Sequence, residues 1–224
     1  MDVAKNLEQI QQNIREACRK AGRKEEEITL IGVTKYVTID RTEEALAAGV
    51  RDLGENRLEG FSQKYEAIGD KAAWHFIGSL QSRKVKDMIN KIDMLHSLDR
   101  SSLAKEINKR AEKSIPCFVQ INTSGEESKH GIGPEEALEF VEGLAKYEKV
   151  QVVGLMTMAP FIEDEATIRQ TFRRLKMLRD EIAQKHYQHA PCQYLSMGMS
   201  NDYQLAIEEG ATHIRIGSKL VGQK

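Results

Sequence analysis

Lys35 is the side chain best placed to do covalent chemistry. It directly follows the apolar run 28–34, so its stem leaves a predicted buried strand and its amine points toward the strand's carboxyl end. Loss of hydration there would favour the neutral amine, the form that attacks an aldehyde to make a Schiff base. The alternative is a lysine that extends past the strand and keeps its ammonium group in water.

Two glycine and hydroxyl pairs form a candidate phosphate site. Gly198 and Ser200 end one strand-like run, and Gly217 and Ser218 end the next. Close backbone approach and free N–H groups at a helix start are how proteins hold a phosphate. In barrels that bind phosphate, the site commonly follows strands seven and eight. The alternative is that the glycines are turn residues and Ser200 is a helix N-cap.

Arg215 lies two residues before Gly217, so both side-chain positions face the same way along a strand. An arginine buried inside a barrel needs a partner, because its isolated charge is very costly. A cofactor ring nitrogen or a carboxylate at the barrel mouth would serve. The alternative partner is an internal acid such as Glu55.

The elements that must position these residues alternate along the chain. After a helix over 3–21, ended by Gly22, short β-branched runs predict eight strands separated by helical segments. The strands are predicted at 28–34, 50–54, 74–78, 94–98, 117–122, 150–156, 194–197 and 213–216. The helices are predicted at 41–48, 57–68, 82–90, 101–113, 134–147, 164–185 and 201–209.

Eight strands in this alternation close into a parallel barrel with right-handed crossovers. We therefore expect residues 1–224 to form a single-domain α/β protein, a (β/α)8 TIM-type barrel with an extra N-terminal helix. In such a barrel, chemistry collects at the carboxyl ends of the strands.

Composition excludes several classes of partner. With 33 basic and 34 acidic residues the net charge is -1, so no bulk field draws the chain to nucleic acid or anionic lipid. The separated Cys18, Cys117 and Cys192 are typical of reduced cytosolic thiols that serve packing. No signal peptide or apolar stretch of membrane-spanning length is present, which predicts a cytoplasmic protein without membrane contact. His186 and His189 lack a third ligand nearby, so no metal is predicted.

Seven short segments carry a family resemblance that spans essentially the whole chain. They are Val33-Thr34-Lys35, Gly54-Glu55-Asn56, His75-Phe76-Ile77-Gly78 with Gln81, Ser128-Lys129-His130-Gly131, Gly154-Leu155-Met156, Ser196-Met197-Gly198-Met199-Ser200-Asn201-Asp202 and Arg215-Ile216-Gly217. In this order, each at a predicted strand end, they resemble the pyridoxal 5′-phosphate (PLP) homeostasis protein family, which is related to the N-terminal barrel of alanine racemase. One departure is Thr34-Lys35-Tyr36, where many relatives have Ser-Lys-Thr.

The resemblance implies a cofactor and a set of residues that bind it. It implies that Lys35 carries PLP as a Schiff base and that Arg215 faces the pyridine nitrogen. It assigns the phosphate to Ser200, Gly217 and Ser218, and it places Asn56 and Met199 beside the cofactor. No residue is assigned a catalytic role.

The chemistry of Arg215 favours a carrier over an enzyme. PLP catalyses by drawing electrons into a protonated ring, and a guanidinium cannot supply the acid partner that keeps the ring nitrogen protonated. Related racemases also need a second base on a separate β-domain, which we expect to be absent from a chain ending at Lys224.

We therefore expect a monomeric carrier or reservoir of PLP in intracellular vitamin B6 homeostasis, with apo PLP-dependent enzymes as recipients. One alternative is a PLP-dependent amino-acid racemase with weak or partner-dependent activity. Another is a barrel that binds a nucleotide or sugar phosphate without PLP.

Overall fold

Eight parallel strands close into a barrel in chain order, each paired with its sequence neighbours and β8 paired with β1. The computed structural model describes residues 2–125 and 130–222. The strands are β1 Thr29–Val33, β2 Asp52–Glu55, β3 Ala73–Phe76, β4 Met94–Leu98, β5 Ile115–Gln120, β6 Val150–Met156, β7 Tyr194–Met199 and β8 His213–Ile216. The predicted TIM-type (β/α)8 barrel is confirmed.

Helices flank the barrel between most strands. The α-helices are α1 Val3–Ala21, α2 Ile39–Ala48, α3 Leu58–Ile68, α4 Ser101–Arg110, α5 Ala137–Gly143, α6 Glu165–Ala183, α7 Tyr203–Glu208 and α8 Ser218–Val221. Short 3₁₀ segments occur at Glu25–Glu27, Gly69–Lys71, Ser82–Asp87, Pro134–Glu136 and Leu144–Lys146. No helix within these described ranges has the length and apolar character needed to cross a membrane.

The extra helix α1 is amphipathic and packs against α7 and α8 on the outside of the barrel. Its buried residues recur every three or four positions, and Gly22 ends it in the left-handed conformation at φ 65°. Asn13 Nδ2 donates to Tyr203 Oη at 2.7 Å, and Asn6 Nδ2 donates to the carbonyl of Leu220 at 2.9 Å. Helix α1 therefore supports the segments that follow β7 and β8.

The crossover between β3 and β4 differs from the predicted helix over 82–90. Only the 3₁₀ segment Ser82–Asp87 forms, and the backbone at Met88 leaves the helical region with φ -142°. Val85, Met88 and Ile89 are nevertheless all buried. The spacing of these apolar residues correctly indicates which side chains are buried. Tertiary packing buries them here without a complete helix.

The three cysteines pack in the core as free thiols. Cys18, Cys117 and Cys192 are all buried, and burial raises the pKa of the Cys192 thiol to about 12. Among the residues that the structure describes, no cluster of three or more His, Cys, Asp or Glu side chains is arranged to bind a metal ion.

Imidazole rings fill much of the barrel interior. His96 stacks on Phe118 with ring centroids 4.4 Å apart, and Phe118 meets His213 at 5.1 Å. Burial lowers the pKa of His213 from 6.5 to about 3, and burial also holds the pKa of His96 well below its ordinary value. Both rings are therefore neutral at pH 7, and charging either one in place is unfavourable.

These histidines predict loss of stability in acid. The native His213 has a pKa of about 3 and its unfolded counterpart 6.5, so the unfolded chain binds more protons between these values. Its contribution is complete above pH 6.5 and is lost progressively toward pH 3, by about 1.4 kcal/mol per pH unit at most. Urea unfolding between pH 7 and pH 4.5 measures this slope.

The matched control for this measurement is an exposed histidine. His213→Asn should reduce the slope, whereas His186→Asn should leave it unchanged, because His186 is exposed and its φ of 53° suits asparagine. Equal slopes in the two variants would contradict the interpretation.

Candidate functional site

The candidate site residues lie at the carboxyl ends of four neighbouring strands. Lys35 follows β1 and Asn56 follows β2, while Ser200 and Ser218 follow β7 and β8. Because β7 pairs with β8, β8 with β1 and β1 with β2, these ends form one continuous arc at the barrel mouth. Residues from both ends of the chain are thereby brought together.

Lys35 is exposed in the turn after β1, with its Nζ 4.8 Å from the ring centroid of Tyr36. The expected loss of hydration at this amine is therefore wrong for the protein without ligand. Burial ends at Thr34, which is completely inaccessible, and the next side chain already extends into the open mouth. The amine is reachable by a solute, and the fold alone does not desolvate it.

A buried ion pair lies directly behind Lys35. Lys64 Nζ contacts Glu55 Oε1 at 2.6 Å and donates to the carbonyl oxygen of Thr34. Thr34 Oγ1 donates to Glu55 Oε1 at 2.7 Å, and the Thr34 N–H donates to the carbonyl of Gly54 at 3.1 Å. These bonds tie the residue preceding Lys35 to β2 and fix the point from which the lysine side chain starts.

This ion pair also removes the sequence-based alternative for Arg215, because Glu55 is paired with Lys64. Sequence reasoning missed Lys64, which reads as an ordinary charged residue on a helix. One signal was present, since Lys64 lies three residues after Phe61 and four before Ile68, on the buried face of α3.

Two buried acceptors at the end of β2 are unsatisfied. Glu55 Oε2 and Asn56 Oδ1 have no hydrogen-bond partner among the described residues. The backbone of Asn56 packs tightly on Gly78, where a Cβ atom would come within 2.1 Å of the Asn56 carbonyl oxygen. Buried polar atoms are rarely left unpaired. A ligand that brings a donor group to this strand end therefore fits the site.

Arg215 is buried inside the barrel with 4% of its surface exposed. Its Nη1 donates to Ser196 Oγ at 2.5 Å and its Nη2 to the carbonyl of Thr157 at 3.0 Å. Burial lowers the pKa of Arg215 to about 10, with the charge of Asp202 opposing that shift. The guanidinium thus stays charged at neutral pH and can only donate hydrogen bonds. The sequence did not reveal Ser196 and Thr157 as its neutral partners.

The hydroxyl groups of Ser200 and Ser218 meet across the ends of β7 and β8, with their Oγ atoms 3.3 Å apart. Gly198 has φ 94°, and a Cβ atom there would lie 2.6 Å from the Cβ of Ala206. Gly217 packs less tightly against β1, where its Cβ would be 3.3 Å from the Val33 carbonyl oxygen. Small residues are therefore required where the two hydroxyl groups converge.

The alternative that Ser200 caps α7 is wrong. Asp202 occupies the N-cap position, and its Oδ1 accepts the N–H of Met199 at 2.5 Å. Burial raises the pKa of Asp202, and the Met199 N–H opposes that shift. Ser200 therefore remains free of a capping role, and Met199 is held at the rim of the site. In the segment 128–131, Ser128 and Lys129 lie outside the described residues.

Removing half of the buried ion pair should destabilise the protein strongly. Glu55→Gln leaves the Lys64 ammonium buried without its counter-charge, which costs about 3–5 kcal/mol of unfolding free energy. Denaturant unfolding measures the loss. The matched control is the double variant Glu55→Leu with Lys64→Met, which should lose less than Glu55→Gln because no charge remains buried. A single variant as stable as the wild type would show that the pair is not formed.

The family model described as the alanine racemase N-terminal domain matches residues 6–224. The pyridoxal phosphate homeostasis protein of Aquifex aeolicus is 42% identical over 228 residues, covering 100% of this chain and 99% of that protein.

Two solved structures have the same fold over nearly the whole chain. An unknown protein from Bifidobacterium adolescentis is 31% identical with a TM-score of 0.93, covering 98% of this chain and 94% of that chain. PipY of Synechococcus elongatus, solved with PLP bound, is 30% identical with a TM-score of 0.84, covering 98% of this chain and 100% of that chain.

Proposed function

The chain belongs to the pyridoxal phosphate homeostasis protein family, and on that premise we propose that it binds PLP at the ends of β1, β2, β7 and β8. In this proposal it acts as a carrier or reservoir in intracellular vitamin B6 homeostasis. The observation that carries the proposal is the PLP-bound structure of PipY, which has the same fold over nearly all of this chain.

Lys35 is proposed to hold the cofactor covalently. Bound PLP supplies an aldehyde, with which a primary amine forms a Schiff base by loss of water, and an electron-withdrawing ring. The exposure of Lys35 supports its assignment, since the amine is accessible from solvent. The neighbouring Lys64 is buried and already bonded to Glu55 and Thr34, so it is a poor competitor.

The remaining contacts follow from the chemistry at each strand end. Ser200, Gly217 and Ser218 are proposed to bind the phosphate. This is supported by the two converging hydroxyl groups and by the close packing at Gly198 and Gly217. Met199 lies at the rim of this group. Asn56 is proposed to contact the cofactor through its unsatisfied Oδ1 atom.

Arg215 is proposed to face the pyridine nitrogen as a charged donor. A guanidinium that only donates keeps the ring nitrogen unprotonated, and this weakens the electron sink that PLP enzymes use. Related racemases work with this arrangement but also need a second base, so the arginine alone does not decide between carrier and enzyme. We propose a non-catalytic role because the relatives of this chain are named homeostasis proteins and because a weakened electron sink disfavours strong catalysis by Lys35 alone.

An open mouth suits exchange of the cofactor. The amine of Lys35 is exposed, so competing amines and water can reach the point of attachment. We propose apo PLP-dependent enzymes as recipients, and a monomer in the cytoplasm as the form that delivers the cofactor.

Substitution of Lys35 tests the covalent attachment. Lys35→Ala should abolish the yellow absorbance band of the bound cofactor, because Lys35 supplies the exposed amine at the end of β1 and the nearby Lys64 is buried. Lys35→Arg is the matched control, since it keeps the positive charge and removes the nucleophilic amine. Borohydride reduction of the wild type, followed by peptide mapping, should place the adduct on Lys35. A band that survives in both variants would show that another residue holds PLP.

A racemisation assay separates the carrier from the alternative, a PLP-dependent racemase. The PLP-loaded protein is incubated with L-alanine or L-serine, and the D-enantiomer is measured over time. We expect turnover far below the ordinary enzyme range of about 1 s⁻¹ or more. Turnover at that rate would overturn the carrier proposal and favour the racemase.

A further inference from the structure

A chain of hydrogen bonds runs through the barrel interior from Asp52 to Arg215. Asp52 Oδ1 lies 2.9 Å from His75 Nε2, and His75 Nδ1 lies 2.9 Å from His96 Nε2. His96 Nδ1 then lies 2.8 Å from Ser196 Oγ, which accepts from Arg215 Nη1. We call these five residues the axial chain.

The axial chain crosses the barrel interior between strands that lie on different sides of it. Asp52 is the first residue of β2 and Arg215 the third residue of β8, and both are in register with Ile31 of β1. The Asp52 side chain is 29% exposed, while His75, His96, Ser196 and Arg215 are all buried. A partly exposed carboxylate is thus linked through buried groups to the buried guanidinium.

The chemistry of the two ends sets the direction of every bond between them. A guanidinium only donates and a carboxylate only accepts. Ser196 accepts from Arg215 and can donate its hydroxyl hydrogen to His96 Nδ1. His96 then donates from Nε2 to His75 Nδ1, and His75 donates from Nε2 to Asp52. With one proton on each imidazole, this arrangement gives each of the four hydrogen bonds in the chain one donor and one acceptor.

If the neutral imidazoles carried their protons on the other ring nitrogens, they could not form all of these hydrogen bonds. If His75 carried its single proton on Nδ1, its bare Nε2 would face the Asp52 carboxylate at 2.9 Å, acceptor against acceptor. Burial holds the pKa of His96 well below its ordinary value, which is consistent with a neutral ring in the middle of the chain. Bonds in such a chain also polarise one another in a low-dielectric interior.

Arg215 donates to two neutral oxygen atoms, the Ser196 hydroxyl and the Thr157 carbonyl. The first of these belongs to the axial chain, so the chain helps to fix the position of the guanidinium. We propose that Asp52, His75, His96 and Ser196 are positioning residues that hold Arg215 as a fixed donor toward the ring of the bound cofactor. The role of Arg215 at the ring rests on the proposed function. The order of protons along the axial chain does not.

The first experiment therefore uses the wild-type chain without cofactor. Nitrogen-15 NMR of the histidine side chains at neutral pH reports which ring nitrogen carries the proton. We expect both His75 and His96 to be protonated on Nε2 and bare on Nδ1, with resonances assigned from His75→Asn and His96→Asn. A proton on Nδ1 of either ring would overturn the inference, and this result does not depend on PLP.

The second experiment measures PLP affinity and the absorbance maximum of the bound cofactor. His96→Asn should weaken binding by about tenfold, the effect of leaving a buried polar partner such as Ser196 Oγ unsatisfied, and should shift the maximum. The matched control is His213→Asn. The ring centroids of His213 and His96 are 6.2 Å apart in the same interior, but His213 hydrogen-bonds to Thr212 and not to a member of the axial chain. We expect His213→Asn to alter affinity by less than about twofold and to leave the maximum unchanged.

Asp52→Ala provides a variant at the exposed end, in case the buried substitution prevents folding. It should shift the absorbance maximum in the same direction as His96→Asn, even though Asp52 is separated from Arg215 by three other members of the axial chain. If both variants match His213→Asn, the axial chain does not position Arg215. A wild type that fails to bind PLP would instead refute the proposed function, while the NMR result would still report on the chain.

Discussion

Pairing of β8 with β1 is the constraint on which the rest of the molecule depends. It places Thr29 opposite His213 and Ile31 opposite Arg215, so the first and last strands of the barrel share one register. Without this closure, Lys35 and the hydroxyl groups of Ser200 and Ser218 would belong to distant parts of the chain. With it, an amine, a pair of hydroxyl groups and a buried cation lie within one arc of four strand ends.

Two cations are buried near this arc, and they are stabilised in different ways. Lys64 contacts a carboxylate directly, so its charge is neutralised where it lies. Among the residues that the structure describes, Arg215 donates hydrogen bonds to a hydroxyl and a carbonyl group, so much of its charge remains available to a third group. The first arrangement suits a structural support, and the second suits recognition of a ligand acceptor.

Much of the fold could be predicted from the sequence because its periodicities are strong. Helix α1 and strands β4, β6 and β8 have the predicted limits, since caps mark the helix and short apolar runs mark the strands. The crossover after β3 was mispredicted because the spacing of Val85, Met88 and Ile89 reports burial and does not require a continuous helix. The positions of the site residues followed from strand ends. Their partners, Lys64, Ser196 and Thr157, did not, because these contacts join elements far apart in sequence. The sequence left two alternatives open for Lys35, and the exposed one is observed, since the choice between them depends on how open the mouth is.

The docking of α1 has a consequence for the order of events during synthesis. Its apolar face and its asparagine side chains bind α7 and α8, which are synthesised after the intervening strands and helices of the barrel. Helix α1 is therefore made long before most of its own binding surface exists. Until then its apolar stripe stays open to chaperones and to other nascent chains, which makes late attachment of this helix a vulnerable stage of biogenesis.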